Sequence, residues 1–545
     1  MDKRTFLVLF VVVILFFVWS TYFAPKPKAG NPKQNAAADS TIQVAEDSLK
    51  QQLAVSPGVV DSIFKGAQSI QTEKLENDRF SVSFTNRGAA ISSIELKKYN
   101  WAGNDKRLVD LVPKDKNIAG ITLLNHPATM PNDLRNVNWN CEKEDKKVVF
   151  WLGDQEKPLV KKSFQLDDKY GILMDVEVNS PNPVYGIEYD FSAGIADSEE
   201  VKPKTKDQDY KLLLYTENAP QKITLPKIKK DKLQGDLNSF KWAALRTKYF
   251  ALAIMETGTP LLRHYRASLA EGSGNPAIVL DSKDETASQQ WKQSFTIYAG
   301  PADYELMRSY PNRLEQIPDR GPGWLRWLAN AIAWLLQTLH RFIPNYGVVI
   351  IIFALLLKLV THPLTKKSMD ANFKMQRIQP QVQAIQAKYK NDPKKMQEEL
   401  SALYKEAGTS PMSGCLPLLL QMPIFIALYN VLRYTLDMRN ARFALWLKDL
   451  SEPDPYLILP IIMAGFMILQ SLMTRPSKEA LEKMDEKQQA MQQSTRMMTW
   501  LMPIMMFFIF RGLPSGLVLY YTIFNMFSVA HQFYTQKRLK QKEII

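Results

Sequence analysis

Apolar positions along the chain fall into three regimes. Phe6 to Phe23 is an almost unbroken apolar run behind Asp2, Lys3 and Arg4. At about 1.5 Å per residue it comes close to the roughly 30 Å of bilayer hydrocarbon. The run exceeds the roughly 7 to 15 residues of a signal-peptide core and no A-x-A site follows, which predicts an uncleaved transmembrane anchor over 1–24 rather than a leader. Residues 25–70 are rich in Pro, Ala, Gln, Ser and Asp without sustained periodicity, the composition of a flexible tether. The second regime has period two. Phe80, Val82 and Phe84 alternate with polar residues, and the pattern recurs at Val148 to Leu152, Ile172 to Val178, Tyr185 to Phe191 and Ser294 to Tyr298. It predicts a β-sandwich domain over 71–318.

The third regime is helical. Leu325, Leu328, Ile332, Leu335, Leu336 and Leu339 recur at spacings of 3 and 4, with Trp324, Trp327 and Trp334 among them. Tryptophan-rich amphipathic helices lie in the membrane interface, and 319–343 is read as one; a helix of a soluble core is the plainer alternative. Five apolar segments follow, predicting transmembrane helices at 344–366, 411–436, 456–474, 496–512 and 513–535. Between the first two, Met375, Ile378, Val382, Ile385 and Tyr389, then Met396, Leu400, Leu403 and Ala407, form two facing apolar seams around Asn391-Asp392-Pro393. This predicts a helical hairpin over 367–410, bent or begun at Pro380.

Charge orients these elements. Lys366 to Gly408 carries nine Lys or Arg against five acidic residues, whereas Asp437 to Pro455 carries three against four. Arg475, Lys478, Lys483 and Lys487 mark 475–495, and Lys537, Arg538, Lys540 and Lys542 mark the tail 536–545. By the positive-inside rule the hairpin, that loop, the tail and both termini are cytoplasmic, while 437–455 and the β-domain lie on the far side. The mean hydropathy of -0.22 averages a polar middle with apolar flanks, and the net charge of +14 collects beside the apolar runs. Anionic lipid explains that placement better than DNA does. Cys141 and Cys415 make neither a disulfide framework nor a metal cluster, and His126 and His264 stand alone. No HExxH, GxSxG or phosphate loop occurs, so no cofactor, metal or catalytic residue is expected.

From Pro344 onward the chain resembles the YidC insertases and their mitochondrial and chloroplast relatives. The resemblance rests on HPLTK at His362, PMSGCLPLLLQMPIFIALYNVL from Pro411, FALWLKDLSEPDPYLILPI from Phe443 and LPSGLVLYYTIFN from Leu513. The anchor, the tether and NRGAAISSIELKKY from Asn86 resemble the Gram-negative branch. The resemblance implies a polytopic α-helical protein of the bacterial inner membrane, with six transmembrane helices and a periplasmic β-supersandwich. It also implies an insertase and chaperone, not an enzyme. Such a protein receives nascent membrane proteins from the ribosome, alone or beside the Sec translocon (SecYEG and SecDF).

Lys358 lies inside an apolar span, LLLKLV, where a charge costs about 2.5 to 3.5 kcal/mol and is a functional candidate by default. The family places a positive charge there, usually arginine; lysine keeps the charge but not the five-donor fork. Ala354 stands one turn earlier, where threonine is familiar. The plainer reading of Lys358 is snorkelling to cytoplasmic head groups. Gln421, Asn430, Thr522 and Asn525 add polar groups at membrane depth and, with Lys358, predict a hydrated groove; packing between helices is the alternative. Met463, Met467, Met502, Met505, Met506, Tyr520 and Tyr521 are candidates for an adaptable surface along which a client helix slides, or plain lipid-facing filler. Only fourteen residues separate Arg496 from Arg511, roughly 21 Å of helix, a mismatch met by bilayer thinning or by snorkelling of the arginines. Two other classes fit part of the pattern. A secondary transporter lacks support from any inverted repeat, and a tethered carbohydrate-binding or carbohydrate-modifying protein is to be tested by sugar binding to the β-domain.

Overall fold

The computed structural model describes residues 66–410, 416–473 and 500–543, apart from 103, 126–132, 202, 217–218, 231–232, 239, 259 and 285. The anchor at 1–24, most of the tether, the loop at 475–495, Cys415 and His126 lie outside the described residues.

The β-domain has two antiparallel sheets. A four-stranded one runs in sequence order through Thr72–Glu76, Phe80–Thr85, Ala90–Trp101 and Asn104–Asp110; the other has thirteen strands. The strand Lys147–Gly153 alternates as its pattern predicts, with Val148, Phe150 and Leu152 fully buried. The larger sheet is organised by Gly171–Phe191, a single 21-residue strand where the sequence suggests two. It pairs along its length with Pro158–Leu166, Ser288–Pro301, Pro276–Asp281 and Gly120–Asn125. The strands Trp242–Arg246 and Phe250–Thr257 are buried on both faces. A strand covered on both sides needs no polar alternation, which is why period two does not find them.

Seven α-helices follow among the described residues. α1 (Arg326–Phe342) buries Leu325, Ala329, Ile332, Ala333 and Leu336 along one stripe. Trp324, Trp327 and Trp334 face outward, each about two-thirds exposed (66%, 69% and 67%). α2 (Tyr346–Lys388) starts at an Asn345 cap that accepts from the amides of Gly347 and Val348 at 2.9 and 3.2 Å. Only glycine fits at 347, since a Cβ there would come within 2.0 Å of the Phe443 ring. α2 runs unbroken for 43 residues through Pro363 and Pro380. The expected boundary at 366 is absent, and Pro380 neither begins nor ends a helix. α3 (Pro393–Glu406) opens with Asp392 accepting from the Lys395 amide and Pro393 in its first turn.

α4 (Leu416–Tyr434), α5 (Ile458–Met473), α6 (Trp500–Phe510) and α7 (Ser515–Glu543) complete the set. Among the described residues, Tyr346–Ser368 is long and apolar enough to cross a membrane, and α5 and α6 are shorter apolar helices. Ile350, Phe353, Leu428, Leu432, Leu459, Met463, Leu517 and Tyr520 share one buried cluster. The connection from α4 to α5 is ordered. Asp454, almost fully buried, accepts from the Leu459 and Tyr456 amides and the Trp446 indole, and the Ser515 hydroxyl at the start of α7 donates to the Asp449 carbonyl.

Candidate functional site

Lys358 sits halfway along the apolar stretch of α2, and its ammonium points across to α7. It donates to the Ser528 hydroxyl at 2.7 Å and lies 4.4 Å from the centroid of the Phe524 ring. Its residue exposure is 9%, and no carboxylate lies within ion-pairing distance of it among the described residues. A cation held by a neutral hydroxyl and a ring face keeps an uncompensated positive field. Ser528 in turn donates to the Phe524 carbonyl, which fixes the hydroxyl as acceptor toward Lys358.

Gln421, on α4, reaches the same face of α7, where its amide donates to the hydroxyls of Tyr520 and Tyr521 at 3.1 and 3.4 Å. Tyr521, Asn525 and Ser528 follow one another at spacings of 4 and 3, so Asn525 lies on the stripe that joins the Gln421 and Lys358 contacts. Thr522 points elsewhere. Its hydroxyl donates to the Val518 carbonyl at 2.8 Å and approaches the Leu459 carbonyl of α5, a helix-packing role. Asn430 is not with the others either. It is 9% exposed, donates to the Ile426 carbonyl, and packs where a Cβ on Gly321 would stand 2.9 Å from its amide nitrogen, beside the linker into α1. One helix, α4, carries Gln421 and Asn430 more than two turns apart, and only Gln421 meets the stripe.

The sliding-surface candidates separate by burial. Met463 and Tyr520 are enclosed in the helical core; Met467, Met506 and Tyr521 pack against it in part. Met502 on α6 is 40% exposed and Met505 half-buried. Several polar groups that no motif singled out extend the stripe. The His362 and His531 rings stand 4.6 Å apart, His531 Nδ1 is buried without a hydrogen-bond partner, and Gln532 is buried. Ser528, His531 and Gln532 could have been found by extending the 3-and-4 spacing of α7 beyond Asn525.

Two family descriptions cover nearly all the described chain. The YidC periplasmic domain matches residues 73–335, and the 60Kd inner membrane protein matches residues 338–542. A Chlorobaculum tepidum protein named membrane protein insertase YidC is 30% identical over 585 aligned residues, spanning 100% of this chain and 96% of that protein. The chain belongs to the YidC insertase family. A Chlorobium luteolum insertase of the same name is 31% identical, with 98% of this chain and 95% of that protein aligned. Among solved structures, an active YidC insertase with its first transmembrane domain resolved is 20% identical, covering 90% of this chain and 99% of that one at a TM-score of 0.36.

The two family segments of the chain are joined by ion pairs. Arg433, in the last turn of α4, donates to both carboxylate oxygens of the fully buried Asp209 at 3.1 and 3.2 Å, and the Tyr434 hydroxyl donates to the same group. Arg439 donates to Glu199 at 2.6 Å and to the Asn100 carbonyl at 2.7 Å. Lys248 crosses the other way, 2.7 Å from Glu452. Burial pushes the Glu199 carboxyl up, with Arg439 pulling it down. Asp319, at the start of the linker, is held well below the usual carboxylate range: burial works against the charge, and Arg246, Lys211 and Lys222 outweigh it.

Proposed function

We propose that this protein inserts and helps fold integral proteins of the bacterial inner membrane, receiving their polar segments in a hydrated groove open to the cytoplasm. The observation that carries the groove is the Lys358 ammonium, aimed at Ser528 on a polar stripe of α7 and without a counter-ion among the described residues. Family membership supports the activity.

In this reading the spans are six, the hairpin of α2 and α3 is cytoplasmic, and the β-domain and the 437–455 connection are periplasmic. The charge bias of the connections supports that arrangement. The groove lowers the cost of drawing a client's polar segment partway into the bilayer, since water and polar side chains replace part of its hydration. Lys358 attracts acidic translocated residues, and Gln421, Asn525 and Ser528 offer hydrogen bonds. The client's apolar helix then leaves past the partly exposed methionines of α6, whose unbranched side chains repack around differing sequences. No nucleotide is needed, because burial of the client's apolar helix supplies the driving force. The basic hairpin faces the ribosome and anionic lipid, and the Sec translocon is a further partner.

Depletion of the protein in its host tests the activity. Newly made small membrane proteins should remain uninserted and accessible to protease, while secreted proteins continue to cross. Unchanged insertion of all such clients would overturn the proposal.

A further inference from the structure

Between the β-domain and the helical core lies a cavity of about 380 Å³ that the insertion reading does not use. That is within the roughly 300–1,000 Å³ typical of small-molecule sites. Four elements meet around it: the end of the strand Ala90–Trp101 supplies Lys98 and Asn100, α1 supplies His340, α2 supplies Tyr346, and the connection after α4 supplies Asp437 and Asn440.

Its polar groups are arranged for a ligand carrying both charges. Lys98 is exposed and makes no ion pair among the described residues. Arg439 also lines the cavity, but its guanidinium is committed to Glu199 and two backbone carbonyls, which leaves Lys98 as the cation in reach. Asp437 is the carboxylate, held by the Gln337 amide at 3.1 Å. His340 lines the cavity and stacks on Tyr346 with ring centroids 3.7 Å apart.

The surroundings say which ligand. Phe342 and Val348, each two positions along the chain from a cavity-lining residue, are 81% and 37% exposed. With α1 in the membrane interface, the cavity stands at head-group depth and these apolar side chains stand where acyl chains run. We propose that the cavity binds the head group of a zwitterionic phospholipid with a primary ammonium, of the phosphatidylethanolamine kind. The ammonium pairs with Asp437, and the phosphate lies against Lys98. An anionic glycerol head group meets the Asp437 carboxylate with nothing to donate but hydroxyls, and a choline has no N–H to donate. The proposal rests on the far-side location of the 437–455 connection.

The full chain, reconstituted in nanodiscs of phosphatidylethanolamine, phosphatidylcholine and phosphatidylglycerol in equal parts, is exchanged into detergent and its retained lipid measured by mass spectrometry. Phosphatidylethanolamine should be enriched about tenfold over both others, a ratio that 1.4 kcal/mol supplies. Asp437→Asn should remove most of that preference, and Lys98→Gln should lower retention of all three lipids; both positions are exposed, and the melting temperature should be unchanged. Retention in proportion to the mixture, a preference for phosphatidylglycerol, equal retention of phosphatidylcholine, an Asp437→Asn variant that keeps the parent's preference, or a Lys98→Gln variant that retains as much lipid as the parent would each overturn the assignment. A single cysteine at Asp449, in a chain lacking Cys141 and Cys415, is labelled in parallel by a membrane-impermeant reagent on intact spheroplasts. Labelling there with no lipid preference sinks the cavity alone; absence of labelling sinks the topology beneath it.

Discussion

At the scale of single residues, two buried lysines sit in different surroundings. Lys358 donates to Ser528 and lies against the Phe524 ring, with no carboxylate at ion-pairing distance among the described residues. Lys358→Ala should slow insertion of clients with acidic translocated segments by about three- to tenfold, on the order of 1 kcal/mol of attraction. Lys358→Glu should slow them further, and Lys358→Arg should retain the parent rate. Clients with neutral segments should change little, and rates for a matched client pair across the three variants at equal expression check this. Lys162, by contrast, is sealed in the β-domain, with its amine on the Ala119 carbonyl and 5.1 Å from the centroid of the Phe164 ring. Burial pushes its pKa from 10.5 down to about 7. Below that value both states carry the proton and the penalty is constant. Above it the unfolded chain binds a proton that the folded chain lacks, so this group's contribution rises by about 1.4 kcal/mol per pH unit until the unfolded lysine also titrates. Lys162→Met should therefore stabilise the protein by about 2 kcal/mol at pH 7. The gain should shrink toward pH 9, as denaturant melts at the two pH values will show.

At the scale of elements, the 43-residue α2 continues its apolar stretch without a break into the polar segment that leads to α3. At about 1.5 Å per residue it is roughly 65 Å long, about twice the hydrocarbon thickness. Pro363 and Pro380 each remove one backbone donor within it, which places any bending at those positions rather than at a loop. Deleting Phe373 to Glu406 should abolish client insertion while the remaining helices still enter the membrane, assayed by carbonate extraction and by insertion rate. A deleted protein that inserts clients at the normal rate would reduce the hairpin to a connector.

At the scale of the whole molecule, the β-domain is fastened to the helical core through charges that leave water to meet. Asp209 has no exposed surface and is bound by Arg433 and Tyr434. Asp209→Leu or Arg433→Met alone should cost about 3–5 kcal/mol, because each leaves a buried charge unpaired. The double replacement by Asp209→Leu and Arg433→Met should cost much less than the sum of the single changes. Thermal unfolding of the four proteins in detergent measures the coupling; additive costs would show that the pair does not hold the domains together.

What the sequence by itself determined is what depends on near neighbours along the chain. Period-two runs mark the β-domain, spacings of 3 and 4 mark α1, the end of α2 and α3, and Asn391-Asp392-Pro393 stands where α3 begins. A side chain's direction within one element follows from its backbone period, so those features need no knowledge of the fold. Lys358 was legible for a related reason: a lone charge in an apolar run is conspicuous without any partner. The tertiary structure decided which polar residues meet. Gln421 and Asn430 read alike in sequence, yet one reaches Tyr520 and Tyr521 and the other packs beside Gly321, because α4 crosses α7 at one height and the β-domain linker at another. Trp242–Arg246, covered on both faces, left no alternation to read. The partners of Asp209 and Lys358 lie 224 and 170 positions away, and pairs at such separations are set by how elements pack, which local periodicity does not encode.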